Sequence, residues 1–204
     1  MRSIAVPVIL IIFVALLPAV TVASSLPLDA QGIGLFLGWL GAGSLVASLL
    51  LMIRHPYWAS CFGGLQQMYR WHHGMGVLSF VLLLMHPMLL AGYYVPLGSD
   101  IAEEYLSPLN PQLINILGWL ALAIITLGMA TTFFLHLPYG IWRRLHILLI
   151  VAIVLGFGHI WAVSGFSIGL AAALFPATIP LGWRLLRADR SGDTLPYEVS
   201  AVRH

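Results

Sequence analysis

Six long apolar stretches, separated by short turn-rich segments, limit what this chain can fold into more than any other feature. They cover residues 4–23, 32–53, 71–95, 113–135, 141–163 and 166–186. Each is close to the ~20 residues that a helix needs to cross the hydrocarbon core of a bilayer. Because only helices and closed barrels satisfy their backbone in lipid, uninterrupted stretches of this kind indicate helices. The sequence therefore predicts an all-α integral membrane protein, a bundle of six transmembrane helices.

The composition agrees with a membrane location and excludes several classes of site. Of 204 residues, 60% are hydrophobic and 8% are charged, whereas about 25% are charged in a typical soluble domain. The net charge of +2 offers no basic surface for nucleic acid. Cys61 is the single cysteine, which excludes an internal disulfide and a multi-cysteine metal or iron–sulfur site.

The distribution of charge predicts the orientation in the membrane. If the N-terminus lies inside, all nine arginines fall in inner segments, and the outer segments carry only Asp29, Asp100, Glu103 and Glu104. Arginine and lysine are enriched in cytoplasmic segments. We therefore expect an integral protein of the bacterial inner (plasma) membrane with both termini cytoplasmic. The outer acids could attract ferric ions or a basic partner, or could simply be a solvated loop.

The first stretch has two interpretations. Arg2, an apolar core and the "VASS" segment are typical of a cleaved signal peptide, but the core is longer than the 7–15 residues of a signal's apolar region. We expect this stretch to be retained as a helix.

Histidines lie at two matched depths of the third and fifth stretches. "RWHHGMGVLSFVLLLMHP" (70–87) has His72 and His73 near its inner end and His86 in its outer half. "WRRLHILLIVAIVLGFGHIW" (142–161) has His146 and His159 at the corresponding depths. Ionisable side chains within membrane spans indicate a functional site by default.

Two cofactors explain the two depths better than one. Fourteen residues separate His72 from His86, or about 21 Å at about 1.5 Å per residue, so one metal ion or cofactor cannot bind both. Haem iron commonly takes axial imidazole ligands. The pattern predicts two stacked, six-coordinate b-type haems, with His72, His86, His146 and His159 as the iron ligands. Because both axial positions are filled, we expect electron transfer and no catalytic residue at the iron.

Helical phase separates some of the alternatives. His72 and His86 fall about 40° apart around a helix, whereas His73 and His86 fall about 140° apart. This favours His72 as the ligand and keeps His73 as the alternative. His146 and His159 are thirteen residues apart, the same spacing as His73 and His86. A local tightening of the helix, or a bend near Gly156 and Gly158, would have to bring them to one face.

Other residues at these depths fit the haem hypothesis. Gly76 and Gly158 remove side chains where a flat macrocycle would approach the backbone. Arg70, Arg143 and Arg144 lie at the inner depth, where haem propionates need cationic partners. Alternatively, the glycines only pack helices, as we expect for the glycine-rich "GIGLFLGWLGAG", and the arginines only follow the charge rule.

The two histidine-bearing stretches resemble the ferric reductase-like transmembrane domain. Ferric reductases, NADPH oxidases and the haem subunit of the periplasmic methionine sulfoxide reductase system share that domain. The resemblance covers residues 1–187. It implies that His72 and His146 bind an inner haem and that His86 and His159 bind an outer haem. It also implies that electrons pass outward from a cytoplasmic flavin and nicotinamide.

The chain departs from this family after residue 187. Oxidases and ferric reductases continue into a flavin barrel and a nicotinamide domain, whereas we expect residues 188–204 to be a cytoplasmic tail that could be the start of such a barrel. Its "YEVSAV" segment resembles the opening strand of the flavin barrel. Either a flavin domain is missing or a separate protein supplies electrons. The sequence contains no nucleotide-binding motif, so we expect FAD and NAD(P)H only through a partner or a missing domain.

The sequence thus predicts a haem-dependent transmembrane oxidoreductase, as a domain or a subunit. Electrons would pass from a cytoplasmic reduced flavin or quinol to an acceptor outside, which could be Fe(III), dioxygen or a periplasmic redox protein. The alternatives are a haem-free transporter or channel that uses its histidines for protons or metal, and a structural anchor. A transporter's helices are typically interrupted near the midplane.

Overall fold

The computed structural model describes residues 5–188, and these form helices joined by short turns. The helices are α1 (Ala5–Val22), α2 (Ala30–Leu50), α3 (Pro56–Cys61), α4 (Leu65–Tyr94), α5 (Ser99–Leu106), α6 (Leu113–Phe133), α7 (Tyr139–Ile147), α8 (Leu149–Ser164) and α9 (Ile168–Ala188). Single 3₁₀ turns follow α1 and α4. No strand occurs in this range, and the predicted "YEVSAV" strand lies outside the described residues.

Five segments of residues 5–188 are long and apolar enough to cross a membrane. They are Pro7–Ser25, Ala30–Leu50, Leu65–Leu97, Leu113–Phe133 and Tyr139–Ser164, the last combining α7 and α8. The all-helical membrane fold is therefore confirmed. The sixth predicted stretch forms α9, whose apolar part, Ile168–Pro180, is shorter than the other five. A sixth crossing stays a prediction.

The helices pack in an order that brings α4 and α8 to the same region of the bundle. α2 lies along α4 and α1, α6 lies along α8, and α1 also contacts α9. The glycine-rich sequence of α2 allows close approach. A Cβ on Gly41 would lie 2.8 Å from the Leu83 side chain, and one on Gly43 would meet the Ala15 carbonyl group. The expectation that this sequence packs helices is confirmed for these two positions.

Local interactions determine where the spanning helices begin. The Asp29 carboxylate accepts a hydrogen bond from the Gly32 backbone N–H (2.9 Å), which caps α2. Gly63 and Gly64 have φ of 81° and 109°, so the turn before α4 uses conformations that favour glycine. The buried Phe62 contacts Trp58, whose indole donates to the Leu50 carbonyl (3.0 Å). α3 is thereby fixed to the end of α2.

Candidate functional site

The four predicted histidines meet as two pairs across the bundle. The ring centroids of His72 on α4 and His146 on α7 are 6.2 Å apart, and the ring planes are inclined by 75°. His86 on α4 and His159 on α8 are 6.4 Å apart and inclined by 71°. His72 and His146 are named the inner pair here, and His86 and His159 the outer pair. His73 lies beside His72, with centroids 5.6 Å apart, and is exposed.

The spacing within each pair fits one iron atom between two imidazoles. Two bonds between a metal ion and imidazole nitrogens of about 2.0–2.1 Å take up about 4 Å, and the two ring radii account for the remaining about 2 Å of each centroid distance. The measured distances of 6.2 and 6.4 Å match this sum. Among residues 5–188, no group of three or more His, Cys, Asp and Glu side chains forms a metal site. If a haem occupied such a site, the two histidines of the pair would bind its iron and the porphyrin would supply the remaining ligands.

Backbone carbonyls of two helices, α2 and α6, hold the rings of the outer pair by the same type of hydrogen bond. The Nδ1–H of His86 donates to the Gly34 carbonyl (2.8 Å), and the Nδ1–H of His159 donates to the Ile114 carbonyl (2.8 Å). Because a carbonyl only accepts, Nδ1 carries the proton in both rings. Nε2 therefore keeps a lone pair for a metal ion.

A glycine lies one helical turn after each of these carbonyls. A Cβ on Gly38 would lie 2.9 Å from His86 Nδ1, and a Cβ on Gly118 would lie 2.9 Å from His159 Nδ1. Any side chain at either position would push the imidazole away from its carbonyl partner. The two glycines therefore make room for the rings, a role that the sequence did not reveal.

The inner pair is held differently. The Nδ1 of His72 lies 2.8 Å from the Ser48 hydroxyl and 3.0 Å from the Ser48 carbonyl. Ser48 is in the last turn of α2, where carbonyls lack partners within the helix. The Nδ1 of His146 is buried and has no hydrogen-bond partner among the described residues. Its ring stacks on Trp142, one turn earlier, with centroids 4.9 Å apart and planes inclined by 20°.

A tightened turn between α7 and α8 contributes to the alignment of His146 with His159. The Leu148 N–H donates to the Leu145 carbonyl (3.1 Å), and the Val151 N–H donates to the Leu148 carbonyl (2.9 Å). These bonds span three residues, as in a 3₁₀ helix, where each residue turns the chain by about 120° instead of about 100°. The tightening expected from the sequence is present. It lies at Leu148, and α8 runs without a break through Gly156 and Gly158.

A cavity of about 450 Å³ surrounds the outer pair, within the range of about 300–1,000 Å³ for cofactor sites. Most of its lining is apolar. Its polar lining residues include Gln31, Tyr94, Tyr105, Gln112 and Asn115.

α5 packs against this cavity, beside Tyr94. Tyr105 stacks on Tyr94 with centroids 4.7 Å apart, and Gln31 donates to the Tyr94 hydroxyl (2.8 Å). From α6, the Asn115 amide donates to the Glu104 carbonyl and the Trp119 indole donates to the Leu106 carbonyl, both at 2.8 Å. α5 is therefore attached to both α4 and α6.

The other predicted site residues lie near the pairs without a contact that defines their role. Arg70, Arg143 and Arg144 are exposed. A Cβ on Gly76 would lie 3.7 Å from the Ser48 hydroxyl, and a Cβ on Gly158 would lie 3.4 Å from Leu117, both ordinary contacts. Propionate binding by the arginines and macrocycle approach at these two glycines stay predictions.

The fold and the site define a class: a multi-pass helical membrane protein with paired histidines at two depths. Residues 37–157 match the family described as ferric reductase like transmembrane component, and the chain belongs to this family. The match includes His72, His86 and His146 and ends two residues before His159. No curated protein and no solved structure matched the chain. Family membership indicates oxidoreductase activity by transmembrane electron transfer.

Proposed function

We propose that this protein conducts electrons across the membrane with two b-type haems, one between the histidines of each pair. The observation that supports this most is the centroid distance of 6.2 Å in the inner pair and 6.4 Å in the outer pair. Iron held by two imidazoles exchanges single electrons without an open coordination position.

The protein's own residues prepare both sites. Backbone carbonyls hold the Nδ1–H of His86 and His159, which leaves the lone pair of each Nε2 for iron. Gly38 and Gly118 leave the space that these rings occupy. Ser48 holds His72 in the inner pair, and Trp142 stacks on His146. The mostly apolar lining of the outer cavity would limit the solvent reorganisation that accompanies a change of charge on the haem.

The charge distribution supports an outward direction of electron transfer. All nine arginines lie in segments that we assign to the cytoplasm. The inner pair would then face a cytoplasmic donor, a reduced flavin of a partner protein or further domain, or a quinol. The outer pair would face an acceptor outside, such as Fe(III), dioxygen or a periplasmic redox protein. Residues 1–187 would form this haem domain in the bacterial inner membrane.

Absorption spectra and haem content of the purified protein test the proposal. We expect a Soret band, a b-type α-band after reduction and about two haems per chain. Alanine at His72, His86, His146 or His159 should lower this ratio toward one, because one axial ligand does not hold the ring firmly. His73→Ala is the matched control and should keep both haems. A colourless protein from haem-replete cells would overturn the proposal.

A further inference from the structure

We propose that Ser48 is a positioning residue that orients His72 and lowers the reduction potential of the inner haem. This inference rests on the proposed function, because it assumes that His72 binds iron. Ser48 stands out among the contacts of the four paired histidines. His86 and His159 each have one backbone acceptor, and His146 has no acceptor among the described residues. His72 alone is shown with a side-chain hydroxyl as well as a carbonyl.

The directions of the hydrogen bonds follow from the geometry. If Nε2 of His72 binds iron, Nδ1 carries the proton and donates. It then shares its proton between the Ser48 hydroxyl (2.8 Å) and the Ser48 carbonyl (3.0 Å). The Ser48 hydroxyl donates its own proton to the backbone carbonyl of His72 (3.2 Å). The hydroxyl is thus oriented to accept from the ring.

These contacts also fix the ring in place. Ser48 is 3% exposed and lies in the last turn of α2, so both acceptors belong to one rigid, buried position. Neighbours that accept from a ligand histidine set its tautomer and orientation and raise its basicity. A more basic imidazole stabilises ferric iron over ferrous iron, which lowers the reduction potential. This gives a physical reason for His72, and not the adjacent exposed His73, to be the ligand.

Redox titration of the intact two-haem protein tests this inference. Dithionite supplies one electron to each ferric haem, so the titration shows one reduction step for each haem. The step of the inner haem is identified in a His86→Ala background, which retains only that haem. In Ser48→Ala, the reduction equilibrium of the inner haem should shift about threefold to tenfold toward ferrous, or about 30–60 mV for one electron. The shift is limited because the Ser48 carbonyl remains as an acceptor. Ser48→Thr, which keeps the hydroxyl, should restore the potential.

Ser44 provides a matched control. It lies one turn earlier on α2, is 0% exposed, and its hydroxyl has no hydrogen-bond partner among the described residues. Ser44→Ala should leave both potentials unchanged. The inference is wrong if Ser48→Ala keeps both haems with unchanged potentials, if both reduction steps move equally, or if Ser44→Ala gives the same shift.

The remaining outcomes also decide the question. Loss of the inner haem alone in Ser48→Ala would support the positioning role. If Ser48→Ala does not fold, Ser48→Thr is compared with Ser48→Val, because threonine and valine have the same shape and differ by the hydroxyl. Equal reduction potentials of the inner haem in these two variants would overturn the inference. A wild-type protein without haem would instead refute the proposed function.

Discussion

Gly118 lies against the imidazole ring of His159, so closely that a methyl group at Gly118 would displace the ring. A Cβ on Gly118 would be 2.9 Å from Nδ1 and 3.0 Å from Cε1 of His159. Gly38 has the same relationship to His86, with distances of 2.9 and 3.2 Å. The two glycines belong to different helices, α2 and α6. Each histidine of the outer pair therefore lies against a glycine of a neighbouring helix.

This relationship predicts the effect of the smallest possible substitution. Gly118→Ala or Gly38→Ala should displace a histidine of the outer pair and break the hydrogen bond between its Nδ1 and the carbonyl partner. We expect loss of the outer haem, so that haem content falls from about two to about one per chain, while the inner haem remains. Pyridine haemochrome assay and redox titration measure both.

Gly92→Ala is the control for this prediction. Gly92 is also a helical glycine, on α4, and among the described residues no side chain and no neighbouring helix lies within 4 Å of its Cβ position. An alanine there should keep both haems and stabilise the helix by about 0.5–1 kcal/mol. If Gly118→Ala retained two haems with an unchanged outer potential, the role of the glycine would be refuted.

The sequence was sufficient to place His72 and His86 on one face of their helix, because that placement depends on local periodicity. His72 and His86 lie fourteen residues apart on the continuous helix α4, so their shared face follows from helical geometry alone. The apolar stretches also predicted the five candidate spans to within three residues at every end except the start of the third, which differs by six. These features need no knowledge of how the helices pack.

Local periodicity could not predict the roles of Gly38, Gly118 and Ser48, because these roles depend on which helix packs beside each residue. Gly38 stands in a glycine-rich run in which Gly41 and Gly43 do pack helices. One signal was available in the sequence: Ser48 is a polar residue in an apolar stretch, at the depth of the inner histidines.

His146 depends on stacking for its orientation, which leads to a second prediction. Its Nδ1 has no hydrogen-bond partner among the described residues, whereas its ring stacks on Trp142 at 4.9 Å. Aromatic pairs contribute about 0.5–1.5 kcal/mol beyond burial. Trp142→Leu should therefore weaken inner haem retention about twofold to tenfold, measured as haem transfer to apomyoglobin. Trp142→Phe should retain most of the affinity.

Trp161→Leu is the comparison for this effect on the inner haem. Trp161 is on α8 and is 65% exposed, so its replacement should not change inner haem loss. Equal haem retention in Trp142→Leu and the wild type would show that stacking does not hold His146.

The attachment of α5 to α6 gives a third prediction. The buried Asn115 donates to the Glu104 carbonyl at 2.8 Å, and such a hydrogen bond contributes about 0.5–1.5 kcal/mol. Asn115→Leu should loosen α5, and amides that bond within it, such as those of Ala102 and Ser107, should exchange hydrogen about twofold to tenfold faster. Thr126→Val serves as the control, because the Thr126 hydroxyl donates to the Leu122 carbonyl within α6 itself. Unchanged exchange in Asn115→Leu would show that this bond does not restrain α5.

The last prediction concerns orientation, on which the direction of electron transfer depends. Cys61 is the single cysteine, so Cys61→Ser gives a background in which one new thiol reports one side of the membrane. Asp100 and Arg54 are both exposed, on α5 and before α3 respectively. In this background, Asp100→Cys should react with a membrane-impermeant maleimide on intact spheroplasts, and Arg54→Cys should react only after lysis. The physical reason is that arginine-rich segments stay on the cytoplasmic side. Moving an electron outward is then favoured by about 2.3 kcal/mol per 100 mV of inside-negative potential for a full crossing. The opposite labelling would place the inner pair outside, and electrons would then have to enter at the outer pair to reach an external acceptor.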